Sequence, residues 1–241
     1  MNKIEQFERI PPRDQVIFFV LDPSAGCNCT RINAINRAMS EVVFQLREIQ
    51  DTCREIRTLK IAVLDTGNGV HWQSKTPVPV DEFEWEDLIV GSGPMNWEFS
   101  LIELESQLSR NAMLHSTTGI GVPIIIFIAN SFPYNNWIRG KEYLHNNKWF
   151  QHAIKFALTE DGSCADILKE ILTTTETCYK LDEMSHLPNI LPEVLRHATT
   201  IISIGPNPYS RPSRFWRKAE ELEATIIDQT VISDDVWSEG W

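Results

Sequence analysis

An aspartate and a serine stand two residues apart, as Asp22-Pro23-Ser24, directly after the apolar run 16–21 (VIFFVL). A carboxylate and a hydroxyl at that spacing can contribute to a hard-cation site, since Mg2+ wants an octahedral shell of oxygens. They can equally serve the local fold, accepting backbone N–H bonds in the loop before a helix. Other reactive side chains are scattered. Cys27 and Cys29 form a lone Cys-x-Cys pair, and Cys53, Cys164 and Cys178 do not supply the further spacing that zinc requires. The six histidines, at 71, 115, 145, 152, 186 and 197, fall in no metal or triad signature. Gly91-Ser92-Gly93 is not a nucleophile elbow. Glu160-Asp161 is an acidic pair without an evident partner, and reads as a solvated loop. Gly67-Asn68-Gly69 lacks the third glycine of a dinucleotide fingerprint, and no P-loop is present.

The elements that must position these groups follow from apolar patterning. The run 16–21 is rich in β-branched and aromatic residues, as in a central strand buried on both faces. Ile35, Met39, Val42, Leu46 and Ile49 recur every three or four residues, which predicts a long amphipathic helix. Strands are expected at 59–64 (LKIAVL), around His71 and Trp72, at 122–129 (VPIIIFIA), at 152–158 (HAIKFAL) and at 176–181 (ETCYKL). Helices are expected along Trp97, Leu101, Leu104 and Leu108, near 138–144, over 164–172, and along Ile190, Val194, Ala198 and Ile201 up to the terminator Gly205-Pro206. Strands alternating with helices predict an α/β domain: a doubly wound, mostly parallel six-stranded sheet covered on both faces.

Composition narrows the function classes. The chain has 241 residues, 42% of them hydrophobic, enough for one sizeable core. Its net charge of −11 argues against general nucleic-acid binding, which needs basic faces. No apolar run approaches the roughly 20 residues of a membrane span, the charged N-terminal stretch is unlike a signal peptide, and five cysteines suit a reducing compartment. The expected location is therefore cytoplasmic, with no membrane partner.

In open α/β sheets, ligands sit at the carboxyl ends of strands where the strand order reverses. The loops at 22–26, 91–96 and 130–133 should converge there. A buried strand ending in Asp22-Pro23-Ser24-Ala25-Gly26 before a long helix, then GSGPMNW, then IFIANSFP, resembles a von Willebrand factor A (vWA) domain over roughly 14–206. With HAIKFALTEDG followed by DILKEIL, the chain looks similar to the TerY-type members of bacterial stress operons. The resemblance implies a metal-ion-dependent adhesion site built from Asp-x-Ser-x-Ser, a threonine and a second aspartate. Asp22 and Ser24 match that pattern. Gly26 replaces the second serine, Met95 falls at or near the threonine, and Asn130 replaces the second aspartate. A thioether and an amide are poor partners for a hard cation, so the site is expected to be vestigial (Asp22, Ser24, Asn130). No cofactor is expected, with Mg2+ or Ca2+ as the alternative.

Three parts are expected: an extension at 1–13, the vWA-like domain at 14–206, and a linker with an acidic tail at 207–241. The tail holds seven acids and no base from Ala219 onward, and ends in Trp237 and Trp241, a residue type that dominates binding hot spots. The reading is a non-catalytic adaptor that docks protein partners through Asp22, Ser24, Met95, Asn130, Trp237 and Trp241. The TerY resemblance implies that such a partner is a kinase or phosphatase. The alternatives are a metal-dependent binder with an atypical site and an enzyme with an unrecognised one.

Overall fold

A computed structural model describes residues 11–24, 28–133, 136–173 and 177–203. Strand β1 (Arg13–Leu21) leads into α1 (Cys29–Thr52), followed by β2 (Ile56–Asp65), β3 (His71–Trp72) and β4 (Val78–Pro79). Helix α2 (Trp97–Gln107) precedes β5 (Ile124–Ile128), α3 (Trp137–Asn146), α4 (Lys148–His152) and β6 (Ile154–Thr159). Helix α5 (Gly162–Leu172), β7 (Cys178–Lys180), a 3-10 turn (Met184–His186) and α6 (Leu187–Ser203) complete the described chain.

The sheet runs β3-β2-β1-β5-β6-β7, with β4 also paired to β2. Strands β2, β1, β5, β6 and β7 are parallel, and the two-residue β3 and β4 turn back antiparallel at one edge. Among the described residues the sheet thus has seven strands, one more than its sequence pattern predicts. Val78–Pro79 is too short to show a period, and Pro79 suits an edge because it lacks an N–H. A second difference lies at His152, expected to open a strand. It closes α4 instead, capped by Asn147, whose Oδ1 accepts from Trp149 N (2.9 Å) and Phe150 N (3.3 Å).

Strand β1 explains why both faces are covered. Ile17, Phe19 and Leu21 point into a core shared with α1 and α6, whereas Val16, Phe18 and Val20 point into a second core with α2 and α5. This is the period-2 alternation of a strand buried on both sides. Helix α1 starts where Asn28 caps it, accepting from Arg31 N at 2.9 Å. Its stripe of Ile35, Met39, Val42 and Leu46 is fully buried. In register, Leu21 faces Asp65 on one side and Ile128 on the other, and Ile128 faces Leu158. The carboxyl ends of β1, β2, β5 and β6 therefore lie level, and the strand order reverses between β1 and β5.

Candidate functional site: the carboxyl edge of the sheet

Asp22 follows β1 at this switch point and is fully buried. Its Oδ1 accepts from Ser24 N (3.1 Å), which tightens its own loop. Its Oδ2 accepts from Asn130 N (3.1 Å) and Ser131 N (2.9 Å) on the loop after β5. One carboxyl group accepting from three backbone donors ties the two switch-point loops together. Ser24, also fully buried, hydrogen-bonds hydroxyl to hydroxyl with Ser131.

Asn130 extends the network sideways. Its Oδ1 accepts from Thr159 Oγ1 (3.1 Å) and Glu160 N (2.7 Å), fastening the loop after β6. The residue is 7% exposed, and its Nδ2 is buried without a hydrogen-bond partner. Glu160 is not the unpartnered loop acid expected. It receives a two-pronged contact from Arg31 in the first turn of α1, Nε to Oε2 at 3.1 Å and Nη2 to Oε1 at 2.9 Å. Met184 N adds a third bond to Oε2 at 3.3 Å. The Arg31 guanidinium holds the Glu160 carboxyl below the usual glutamate range. Asp161 caps α5, accepting from Cys164 N at 2.7 Å.

On the other flank, Thr66 after β2 donates its hydroxyl to Leu21 O (2.9 Å). Gly91 N donates to Pro23 O (2.6 Å), and a Cβ on Gly91 would lie 2.1 Å from Gly67 O, so only glycine permits this stacking of loops. Ser92 hangs from Asn68, whose Oδ1 accepts from its N (2.8 Å) and Oγ (2.9 Å). That hydroxyl is thereby committed to the turn beside it.

Asp22, Ser24 and Asn130 are thus brought together as expected, and Met95 is not. Met95 is 2% exposed and packs into the second core in the company of Trp97, Leu101 and Leu64. The placement of Met95 on the partner-facing loop is therefore corrected. Asn96 caps α2 immediately after it, and the apolar thioether turns inward out of water. Gly26, Trp237, Trp241 and the boundary at Pro206 lie outside the described residues. Sequence reasoning missed Ser131, Thr66, Thr159 and the Arg31–Glu160 pair. Ser131 was legible in principle, as the hydroxyl next to Asn130 at a strand end.

The donor set is informative about metals. The single carboxylate at the centre already accepts three N–H bonds, the two hydroxyls face each other, and the free atom of Asn130 is a donor, which a cation repels. Among the described residues, no three His, Cys, Asp or Glu side chains gather as they would around a metal ion. The nearby Cys164 thiol contacts Ala129 O at 3.4 Å, and burial pushes its pKa up to about 12, so it stays protonated and unreactive. No helix among the described residues is long and apolar enough to cross a membrane.

No family model matches the sequence, and neither does any curated protein. Solved structures do match in fold. A von Willebrand factor type A protein from Catenulispora acidiphila superposes with a TM-score of 0.56 at 11% identity, covering 78% of this chain and 43% of that one. Proximal thread matrix protein 1 from the mussel byssus gives 0.55 at 14% identity, covering 76% and 48%. The ArnB paralog VWA2 from Sulfolobus acidocaldarius gives 0.50 at 15% identity, covering 76% and 46%. The chain therefore matches less than half the length of each of these structures. What it shares with them is the vWA fold, an α/β domain with a mostly parallel sheet between two layers of helices.

Proposed function

We propose that this chain is a non-catalytic protein-interaction module that docks a partner on the carboxyl edge of its sheet without a metal ion. The observation that carries this reading is the contrast between the centre of the edge and its rim. Asp22, Ser24 and Ser131 satisfy one another, whereas large apolar side chains stand exposed around them. Ile89 (74% exposed) and Val90 precede Gly91, the residue bonded to Pro23. Phe132 (56%) follows Ser131, and Phe99 (60%) and Ile138 lie in the first turns of α2 and α3. Trp97 Nε1 donates to Ser131 O at 3.0 Å, which fastens the start of α2 to the same edge. Apolar side chains gathered at one edge are costly in water, and such patches are characteristic of protein interfaces. The matrix role named for one fold neighbour, the mussel byssus protein, agrees with this class of function. An adaptor role toward a signalling enzyme such as a kinase or phosphatase is the finer form of the proposal and rests on the TerY resemblance.

Affinity purification from the native cell tests it, with three baits: the full chain, Ile89→Asp/Phe132→Asp, and a chain ending at Pro206. A protein held by the full chain and the truncation but lost by the double variant supports the rim. One lost only on truncation moves the contact to the tail with Trp237 and Trp241. The metal-dependent alternative predicts that millimolar Mg2+ or Ca2+ strengthens capture and that Asp22→Ala abolishes the effect.

A further inference from the structure

Segment 80–90 (VDEFEWEDLIV) lies along α1 as a strap. Arg47 donates to Val80 O and Phe83 O, both at 3.1 Å, and Gln50 donates to Asp81 Oδ2 at 2.6 Å. At the far end Asn36 and Leu88 exchange two bonds, Nδ2 to Leu88 O (3.0 Å) and Leu88 N to Oδ1 (2.9 Å). The strap thus runs antiparallel to the helix, from its last turns back toward its first. Val80, Phe83 and Leu88 enter the core, while Asp81, Glu82, Glu84, Glu86 and Asp87 face solvent. No Lys or Arg occurs between Lys75 and Arg110, and Arg47 directs its donors at backbone carbonyls. Exposed apolar groups accompany these acids: Phe44 on α1, and Ile89 and Val90 where the strap ends.

A surface of this kind fits a segment that mixes bases with aromatics. The chain carries one at 211–218 (RPSRFWRK), where Arg211, Arg214, Arg217 and Lys218 surround Phe215 and Trp216 without an acid. We propose that segment 211–218 docks on the strap of its own chain, bases against acids and aromatics against the exposed apolar groups. The path of α6 permits it. The 3-10 turn before α6 touches Glu160, the partner of Arg31 at the start of α1, and α6 then packs along α1. Ser203 therefore lies toward the C-terminal end of α1, where Arg47 and Gln50 hold the start of the strap. Extended chain covers about 3.3 Å per residue, so the residues from Ser203 to Arg211 span up to ~26 Å and those to Lys218 up to ~50 Å. Rounding the C-terminal end of α1 needs roughly 20 Å, two interhelical distances. Docking there would cover Ile89 and Val90 and so compete with a partner at the rim, although the proposal does not depend on that reading.

Zero-length carbodiimide cross-linking of the full chain tests it, since the reagent joins a lysine amine to a touching carboxylate. The expected product is Lys218 joined to one of Asp81, Glu82, Glu84, Glu86 or Asp87, found in monomers and lost in 0.5 M NaCl, where charge attraction is screened. Hydrogen exchange supplies a second readout. Arg214→Glu/Arg217→Glu/Lys218→Glu should speed exchange across 81–90 about tenfold, and adding Glu82→Lys/Glu84→Lys/Glu86→Lys should restore protection. The same cross-link confined to covalent dimers would overturn docking in cis in favour of a second copy. Lys218 joined only to the acids after Ala219, with strap exchange unchanged, would overturn it altogether.

Discussion

Asp22 matters here as an acceptor for backbone donors. Asp22→Ala removes the partner of three N–H groups, two of which belong to the loop after β5. Each buried donor left unpaired costs about 1–3 kcal/mol, so a loss of about 3 kcal/mol or more is expected in urea denaturation. A loss near zero would show that the loops do not depend on this residue. Asn130 gives the complementary experiment. Asn130→Asp keeps an acceptor for Thr159 and Glu160 but places a second charge next to Asp22. Close carboxylates repel unless a cation lies between them. The variant should melt several degrees below the parent chain, on the order of 2 kcal/mol, and recover in 10 mM Mg2+. The parent chain should be indifferent to the ion, and a rise in its melting temperature would sink the metal-free reading.

Among the elements, the Arg31–Glu160 clasp joins the start of α1 to the loop after β6 and, through Met184, to the start of α6. Glu160→Gln should cost about 1 kcal/mol at pH 7, the upper range for a partly exposed pair with good geometry. The sign with pH follows from the depressed carboxyl of Glu160. Its contribution is complete above the ordinary glutamate value of about 4.3 and disappears as pH falls through its own lower value. Parent and variant should therefore converge in stability as pH falls through that depressed value, and a difference that persists once the carboxyl is protonated would rule out a charge origin. Most elements were legible beforehand because each shows a clean period: the VIFFVL run, the α1 stripe and the IIIFI strand. Where the period is short or mixed, reading failed, as at Val78–Pro79 and at His152. The site was half legible. Asp22, Ser24 and Asn130 were visible from their position after buried strands. Ser131, Thr159 and the Glu160 clasp join only through tertiary register, and Met95 was misplaced because the loop before α2 has no periodicity to fix which side chains point inward.

At the scale of the whole molecule, the carboxyl edge behaves as one bolted unit. The loops after β1, β5 and β6 share Asp22 and Asn130 as common acceptors, while glycines let the loops after β2 and before α2 stack on Pro23. What varies is the rim and its neighbour, the acidic strap. If segment 211–218 docks on that strap, a partner at the rim has to displace it.

The central position of β1 has a consequence for the protein's synthesis. Ile17 pairs with Ile124, 107 positions later in the chain. Translation at about 5–20 residues per second leaves that margin of the strand waiting roughly 5–20 s for its neighbour. During that interval the nascent chain displays VIFFVL, flanked by only one mate, β2, and β-rich apolar segments of this kind template aggregation. The same strand that seats Asp22 at the centre of the fold thus gains its second neighbour only after β5 has been made.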